Sequence, residues 1–126
     1  YILSQSSKNR LHGVHPKLIA ILEQALSYGV MDITVTPQGG VRIPSEQNEL
    51  VKAGASQTLN SKHLKQKDGY GHAIDVAPYP VDLKDISRFY LLAALMFRAA
   101  MELGTEIEWG GFWKTLKDYG HFQLED

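Results

Sequence analysis

The sequence predicts an α+β fold, in which a small, mainly antiparallel sheet has helices packed on one face. Two observations lead to this prediction. Apolar and polar residues alternate, as in half-buried strands, near residues 33, 42, 74, 107 and 122. Two longer segments instead carry apolar residues at helical spacing. Because the 126 residues contain no repeats and no linker-like tracts, we expect one domain that spans residues 1–126.

The first predicted helix starts at His15-Pro16, because proline suits the first turn of a helix. Gly29 is expected to end it. One apolar stripe runs along this helix and consists of Leu18, Ile21, Leu22, Ala25 and Leu26. Residues 1–13 are polar with scattered apolar positions, and no element is predicted there.

Two strands and a short helix are predicted next. Met31 to Thr36 alternates as a strand, and a turn containing proline and glycines leads back into a second strand at Val41-Arg42-Ile43. Ser45 is then expected to cap a helix from Glu46 to Ala53, which Gly54 closes.

The longest predicted helix opens at Asp82, has Asp85 in its first turn and ends before Gly104. We expect it to back the sheet. Its predicted apolar face consists of Leu83, Ile86, Phe89, Tyr90, Ala93, Ala94, Phe97, Ala100 and Met101. A strand from Thr105 to Trp109 follows.

Two of the strand segments carry residues that suit a metal ion. Asp75 lies in an apolar run that reads as a buried strand, where a carboxylate needs a cation or hydrogen-bond donors. His63 precedes it on a polar loop, and His72 is a rival ligand. We favour His63, because strand alternation places His72 on the face opposite Asp75.

The last strand segment supplies a second histidine. Between Asp118 and Glu125, alternation places His121 on the polar face of a half-buried strand. His63, Asp75 and His121 together form the two-histidine, one-carboxylate set of a catalytic zinc site whose fourth position is open to water. Asp118, three residues before His121, could take a proton from that water.

Five segments of the chain also match a known family in their order. They are Leu11 to Pro16, Gly40 to Arg42 with Glu46-Gln47, Ser61 to Asp75, Glu108 to Trp113, and Asp118 to Phe122. This order resembles the zinc DD-/LD-peptidase family, which includes D-Ala-D-Ala carboxypeptidases and dipeptidases. The closer resemblance is to its phage endolysin branch, which cuts the L-Ala–D-Glu bond of peptidoglycan stem peptides.

The resemblance implies a hedgehog/DD-peptidase-like fold and a hydrolytic mechanism. In this mechanism zinc activates a water, Asp118 is the general base and Glu108 is the reserve base. Arg42 would face the substrate and stabilise the oxyanion. Relative to the family, residues 64–70 include an insertion, which we expect to form a polar surface loop beside the site.

Three further residues are expected to bind the substrate: Gln47, Ser61 and Trp109. For Trp109, as for Trp113, packing in the core or at the rim of the site is the alternative. Two other functions stay open at this point. One is a D-Ala-D-Ala carboxypeptidase or dipeptidase, and the other is a wall-binding module that keeps the fold without turnover.

Composition limits the partners that the chain can have. A formal charge of −1 gives no general attraction to nucleic acid, and the lack of cysteine excludes disulfides and thiolate metal sites. No apolar run is long enough to span a membrane, and no signal peptide is evident. We therefore expect a monomer that binds peptidoglycan and does not insert into membranes. It would reside in the host cytoplasm before release and then act on the cell wall from the periplasmic side.

Overall fold

A four-stranded antiparallel sheet forms the centre of the structure, a computed structural model that describes residues 1–52 and 61–125. Its strands are β1 (Asp32–Val35), β2 (Ala73–Tyr79), β3 (Ile107–Trp109) and β4 (His121–Leu124). Their order across the sheet is β1-β2-β4-β3, and every neighbouring pair is antiparallel. The predicted α+β fold with a mainly antiparallel sheet is therefore confirmed.

Four α-helices accompany the sheet within the described residues. They are α1 (Gln5–Arg10), α2 (Pro16–Ser27), α3 (Pro44–Lys52) and α4 (Ile86–Glu102). The prediction for α2 is confirmed: the ring of His15 accepts a hydrogen bond from the Lys17 amide, and Gly29 follows with a positive φ of 70°. No element was predicted where α1 lies. Its N-cap, Ser4, accepts a hydrogen bond from the Ser7 amide.

The two faces of β2 have different surroundings. Ile74 and Val76 point into the apolar core, where α4 packs against both β2 and α2. Asp75 points the other way and pairs in register with His121 of β4. Because directly opposed residues of an antiparallel pair share a face, the strand register alone brings these two side chains together.

Two predictions for the segment between β1 and β2 were wrong. The segment around Arg42 is not a strand of the sheet, since Arg42 makes only an isolated bridge to Leu64. Helix α3 begins at Pro44, before the predicted cap Ser45, because proline fits the first turn. Its predicted end at Ala53 and Gly54 lies outside the described residues.

The long helix also differs from its prediction. It begins at Ile86, because residues 82–85 form a separate turn in which the Asp85 amide donates to the carbonyl oxygen of Asp82. Five residues of the predicted apolar face are exposed: Leu83, Ile86, Tyr90, Ala94 and Met101. Apolar residues lie on almost every side of this helix, so periodicity alone could not select the packed side. The residues that α4 buries are Phe89, Leu92, Ala93, Leu95, Met96, Ala99 and Ala100. Among the described helices, none is both long and apolar enough to cross a bilayer.

Candidate metal centre

Three ligand-type side chains meet on the open face of the sheet. Asp75 and His121 come from β2 and β4, and His63 comes from the loop that precedes β2. The Nε2 atom of His63 lies 3.2 Å from Oδ1 of Asp75, and Nδ1 of His121 lies 3.0 Å from the same oxygen. The two imidazole nitrogens are 3.3 Å apart. All three side chains are largely buried, so this small space is shielded from bulk water.

The outer nitrogen of each imidazole has an acceptor as its partner. Nδ1 of His63 donates to the carbonyl oxygen of Gly40 at 2.9 Å, and Nε2 of His121 donates to the side-chain oxygen of Gln123 at 2.8 Å. Because a neutral imidazole has one N–H, the inner nitrogens of both rings then carry lone pairs. Two lone pairs and a carboxylate oxygen therefore face the same point, which favours a cation there. These residues fit a divalent metal ion.

Gly40 brings its carbonyl to His63 because the chain passes close to another segment there. A Cβ atom at residue 40 would collide with the backbone oxygen of Arg10. The loop that carries His63 is fixed separately, because Oγ of Ser61 accepts a hydrogen bond from the His63 amide at 3.1 Å.

Arg42 holds the second oxygen of Asp75. Its Nη2 atom donates to Oδ2 of Asp75 at 2.7 Å, its Nη1 donates to the side chain of Gln47 at 3.0 Å, and its Nε donates to the carbonyl oxygen of Gln38 at 3.0 Å. The guanidinium is thus held by three acceptors. Asp75 in turn keeps Oδ1 directed at the histidines, which is the orientation that a metal ligand requires.

The electrostatics of the centre favour an ionised Asp75. Burial by itself would raise the pKa of Asp75. A protonated imidazole carries an N–H on both nitrogens, so His121 and His63 can then donate to Asp75 from their inner nitrogens, and these hydrogen bonds hold the pKa of Asp75 far below its ordinary value. Burial likewise disfavours a charged His121. Its hydrogen bond to Asp75 outweighs that effect and raises the pKa of His121.

Asp118 lies beside the centre at the end of the loop between β3 and β4. Its amide donates to the carbonyl oxygen of Gly110 at 3.1 Å, and its carbonyl oxygen accepts from the His121 amide at 3.3 Å. A Cβ atom at residue 110 would collide with the Asp118 backbone, so Gly110 permits this approach. Burial, followed by the charge of Asp75, raises the pKa of Asp118, which suits a group that must accept and return a proton.

The three residues expected to bind substrate are all buried. Trp109 is 1% exposed, stacks on Phe122 in the core and donates its indole N–H to the Tyr119 carbonyl oxygen. Its packing follows the alternative of a core residue. Gln47 and Ser61 support Arg42 and His63 respectively. Both side chains are buried beside the residues that they support.

Two contributors to the site were missed at the sequence level. Alternation already places Gln123 on the same strand face as His121, so its role could have been inferred from that pattern. The Gly40 carbonyl had no such signal, because a backbone acceptor leaves no mark in residue type. Glu108, the reserve base, instead accepts a hydrogen bond from the Trp113 indole at 3.0 Å.

A second cluster is centred on Asp68 in the loop of residues 64–70. His72, the rival ligand, contacts Asp68 at 2.7 Å, and Nε2 of His15 lies 3.7 Å from the same carboxylate. Because Nδ1 of His15 accepts from the Lys17 amide, the proton of that ring is on Nε2 and points at Asp68. The cluster therefore attaches residues 64–70 to the rest of the chain through hydrogen bonds, and we call it the Asp68 cluster. As predicted, residues 64–70 form a largely exposed loop.

Comparisons with known proteins show the family of this chain and a solved structure with the same fold. Residues 1–123 match the family model described as phage L-alanyl-D-glutamate peptidase. A crystal structure of the Serratia marcescens L-Ala D-Glu endopeptidase ChiX superimposes with a TM-score of 0.82 and is 40% identical in sequence. The match covers 99% of this chain and 90% of the Serratia protein.

Proposed function

Because this chain belongs to the phage L-alanyl-D-glutamate peptidase family and is a peptidoglycan peptidase, we propose that it cuts its substrate with a zinc ion held by His63, Asp75 and His121. The observation that carries this proposal is the convergence of two imidazole lone pairs and one carboxylate oxygen within 3.3 Å of each other. The bond cut is L-Ala–D-Glu in the stem peptide.

The ligand types favour zinc. Two neutral imidazoles and a carboxylate are a common set at catalytic zinc sites, whereas calcium and magnesium prefer oxygen ligands. Bound there, zinc would polarise the scissile carbonyl and lower the pKa of a water molecule toward neutrality.

Asp118 is the general base of this proposal. Its raised pKa supports a carboxylate that takes a proton from the attacking water and later delivers it to the leaving amine of D-Glu. Glu108 is the weaker candidate, because its carboxylate is hydrogen-bonded to Trp113.

Arg42 has two roles in the proposal. Its hydrogen bond to Oδ2 of Asp75 orients the ligand carboxylate. The three hydrogen bonds of the guanidinium use one N–H on each nitrogen, so Nη1 and Nη2 each retain a second N–H. We assign these to the negative charge that develops on the carbonyl oxygen of the substrate.

Replacement of the base tests the mechanism. Asp118→Asn should lower the rate of stem-peptide hydrolysis by about 10²- to 10⁴-fold, because the amide cannot accept the proton from water. Zinc content, measured by elemental analysis of the purified variant, should stay at the wild-type level. Glu108→Gln is the matched control, and its larger loss of hydrolysis would transfer the role of base to Glu108.

The bond that is cut is identified from the products. Digestion of purified peptidoglycan should release a new amino terminus on D-Glu and a new carboxyl terminus on L-Ala. Release of free D-Ala would instead indicate a carboxypeptidase that cuts the D-Ala-D-Ala bond, and it would contradict the proposed substrate bond.

A further inference from the structure

Trp113 is an aromatic residue beside the metal centre. Its ring centroid lies 4.9 Å from that of His121, with an angle of 47° between the planes. Unlike Trp109, which is buried in the core, Trp113 is partly exposed. This indole therefore offers aromatic surface next to His121, within reach of a substrate bound at the metal centre.

The indole of Trp113 is held in one orientation by its neighbours. Nε1 of the ring donates to Oε2 of Glu108 at 3.0 Å, and Lys117 donates from Nζ to the carbonyl oxygens of Trp113 and Gly111 at 2.9 Å and 3.2 Å. Glu108 projects from β3, opposite Gln123 of β4. The ring is thus fixed by the same rigid sheet that carries His121.

The chemistry of this surface selects apolar groups. Because Glu108 takes the single N–H of the indole, the remaining ring surface has no conventional hydrogen-bond donor to offer. Aromatic faces and edges bind methyl groups and the C–H faces of sugars through apolar contact. The carboxylates of D-Glu require hydrogen-bond donors instead, so this apolar surface suits the L-alanyl side of the scissile bond.

We propose that Trp113 contacts the substrate on the L-alanyl side of the scissile bond and that Glu108 is a positioning residue that orients its indole. This inference rests on the proposed function. The apolar surface recognised is either the methyl group of L-Ala or the C–H face of the sugar to which L-Ala is attached.

Steady-state kinetics separate the two sources of that apolar surface. Trp113→Ala should raise KM about fivefold to tenfold and leave kcat within about twofold, because the lost contact helps binding more than it helps chemistry. An equal rise for a free stem peptide and a disaccharide-linked peptide assigns the contact to the alanine methyl. A rise for the disaccharide-linked peptide alone assigns it to the sugar. An unchanged KM for both substrates overturns the proposal.

Matched variants distinguish contact from general loop damage. Phe112→Ala removes an exposed aromatic side chain from the same loop, one that packs on Phe97 and Trp109 away from His121, and should leave KM unchanged. Glu108→Leu should raise KM, as Trp113→Ala does. Glu108→Gln keeps an acceptor oxygen and should have a KM close to that of the wild type. An equal effect of Leu and Gln at residue 108 would overturn the positioning role.

A fluorescence titration tests the contact without any turnover. The chain has two tryptophans, of which Trp109 is buried, so a stem peptide added to the Asp118→Asn protein should change the emission of Trp113 alone. The change should be absent when Trp113→Phe is added to that background. If emission changes equally without Trp113, the contact is excluded. Failure of the wild type to cut the L-Ala–D-Glu bond would contradict the proposed function, and this binding measurement would still decide the role of Trp113.

Discussion

At the scale of single residues, the second hydrogen bonds of the two histidines decide what the site can bind. The Gly40 carbonyl and the Gln123 side chain each take an N–H from the outer edge of a ring. The inner nitrogens then present lone pairs to the point that Oδ1 of Asp75 also faces. A histidine whose tautomer is selected in this way needs no rearrangement when a metal binds, which increases affinity.

Removal of one of these partners should therefore weaken metal binding. Gln123→Leu is expected to lower zinc affinity about 10- to 100-fold, because His121 loses the acceptor that selects its tautomer. Competition with a chromophoric chelator measures this affinity. Gln123→Glu, which keeps an acceptor in the same place, should bind zinc as tightly as the wild type. Unchanged affinity in the leucine variant would show that Gln123 does not orient His121.

At the scale of elements, the Asp68 carboxylate links the loop of residues 64–70 to two neighbouring segments. Asp68 accepts from the Tyr70 amide through Oδ1 and meets His72 through Oδ2, and His15 at the start of α2 approaches the same oxygen. The backbone hydrogen bond and the His72 contact lower the pKa of Asp68 and favour its charged form. The loop is therefore tied both to α2 and to the residue that precedes β2.

Loss of this carboxylate should loosen the loop without disturbing the sheet. In Asp68→Asn the amide nitrogen replaces one acceptor oxygen, so the Gln66 and Gly69 amides, which are bonded within the loop, should exchange with deuterium several-fold faster. The Val76 amide of β2 serves as the internal reference. Lys67→Gln changes an exposed neighbour on the same loop and should leave exchange unchanged. Equal exchange rates of these amides in the wild type and Asp68→Asn would show that Asp68 does not hold the loop.

At the scale of the whole molecule, the metal centre joins parts of the chain that are distant in sequence. His63 precedes β2, Asp75 lies within β2 and His121 begins β4, so the three come together only in the folded chain. A ligand that binds the folded state and not the unfolded state stabilises the fold. Zinc in this site should therefore act as a cross-link between segments.

Metal removal should accordingly lower thermal stability. At zinc concentrations of about 1,000 times Kd, binding contributes about 4 kcal/mol, which corresponds to a fall in Tm of roughly 10 °C or more when a chelator is added. Calorimetry or circular dichroism measures the transition. The same chelator should have no effect on His121→Ala, in which one ligand is missing. An equal fall in that variant would mean that the stabilising ion binds elsewhere.

Residue types and their spacing determined two of the strands at the site, two of its ligands and helix α2. Alternation in the last strand placed His121 on the polar face, and the apolar run around Asp75 marked a buried carboxylate that needed a partner. Helix α2 followed from Pro16, its apolar stripe and Gly29, because these are local preferences of the backbone. The family resemblance then joined these pieces into a peptidase.

Only the tertiary structure decided how the pieces meet. Segments that are remote in sequence make the contacts that build the site. They are the register between β2 and β4, the hydrogen bond from His63 to the Gly40 carbonyl oxygen and the hydrogen bond from Arg42 to Asp75. Trp109 and Trp113 have the same side chain, yet the fold buries Trp109 and leaves Trp113 beside His121. Local pattern reports the preferences of a segment, whereas burial and hydrogen-bond partners depend on what the rest of the chain packs against it.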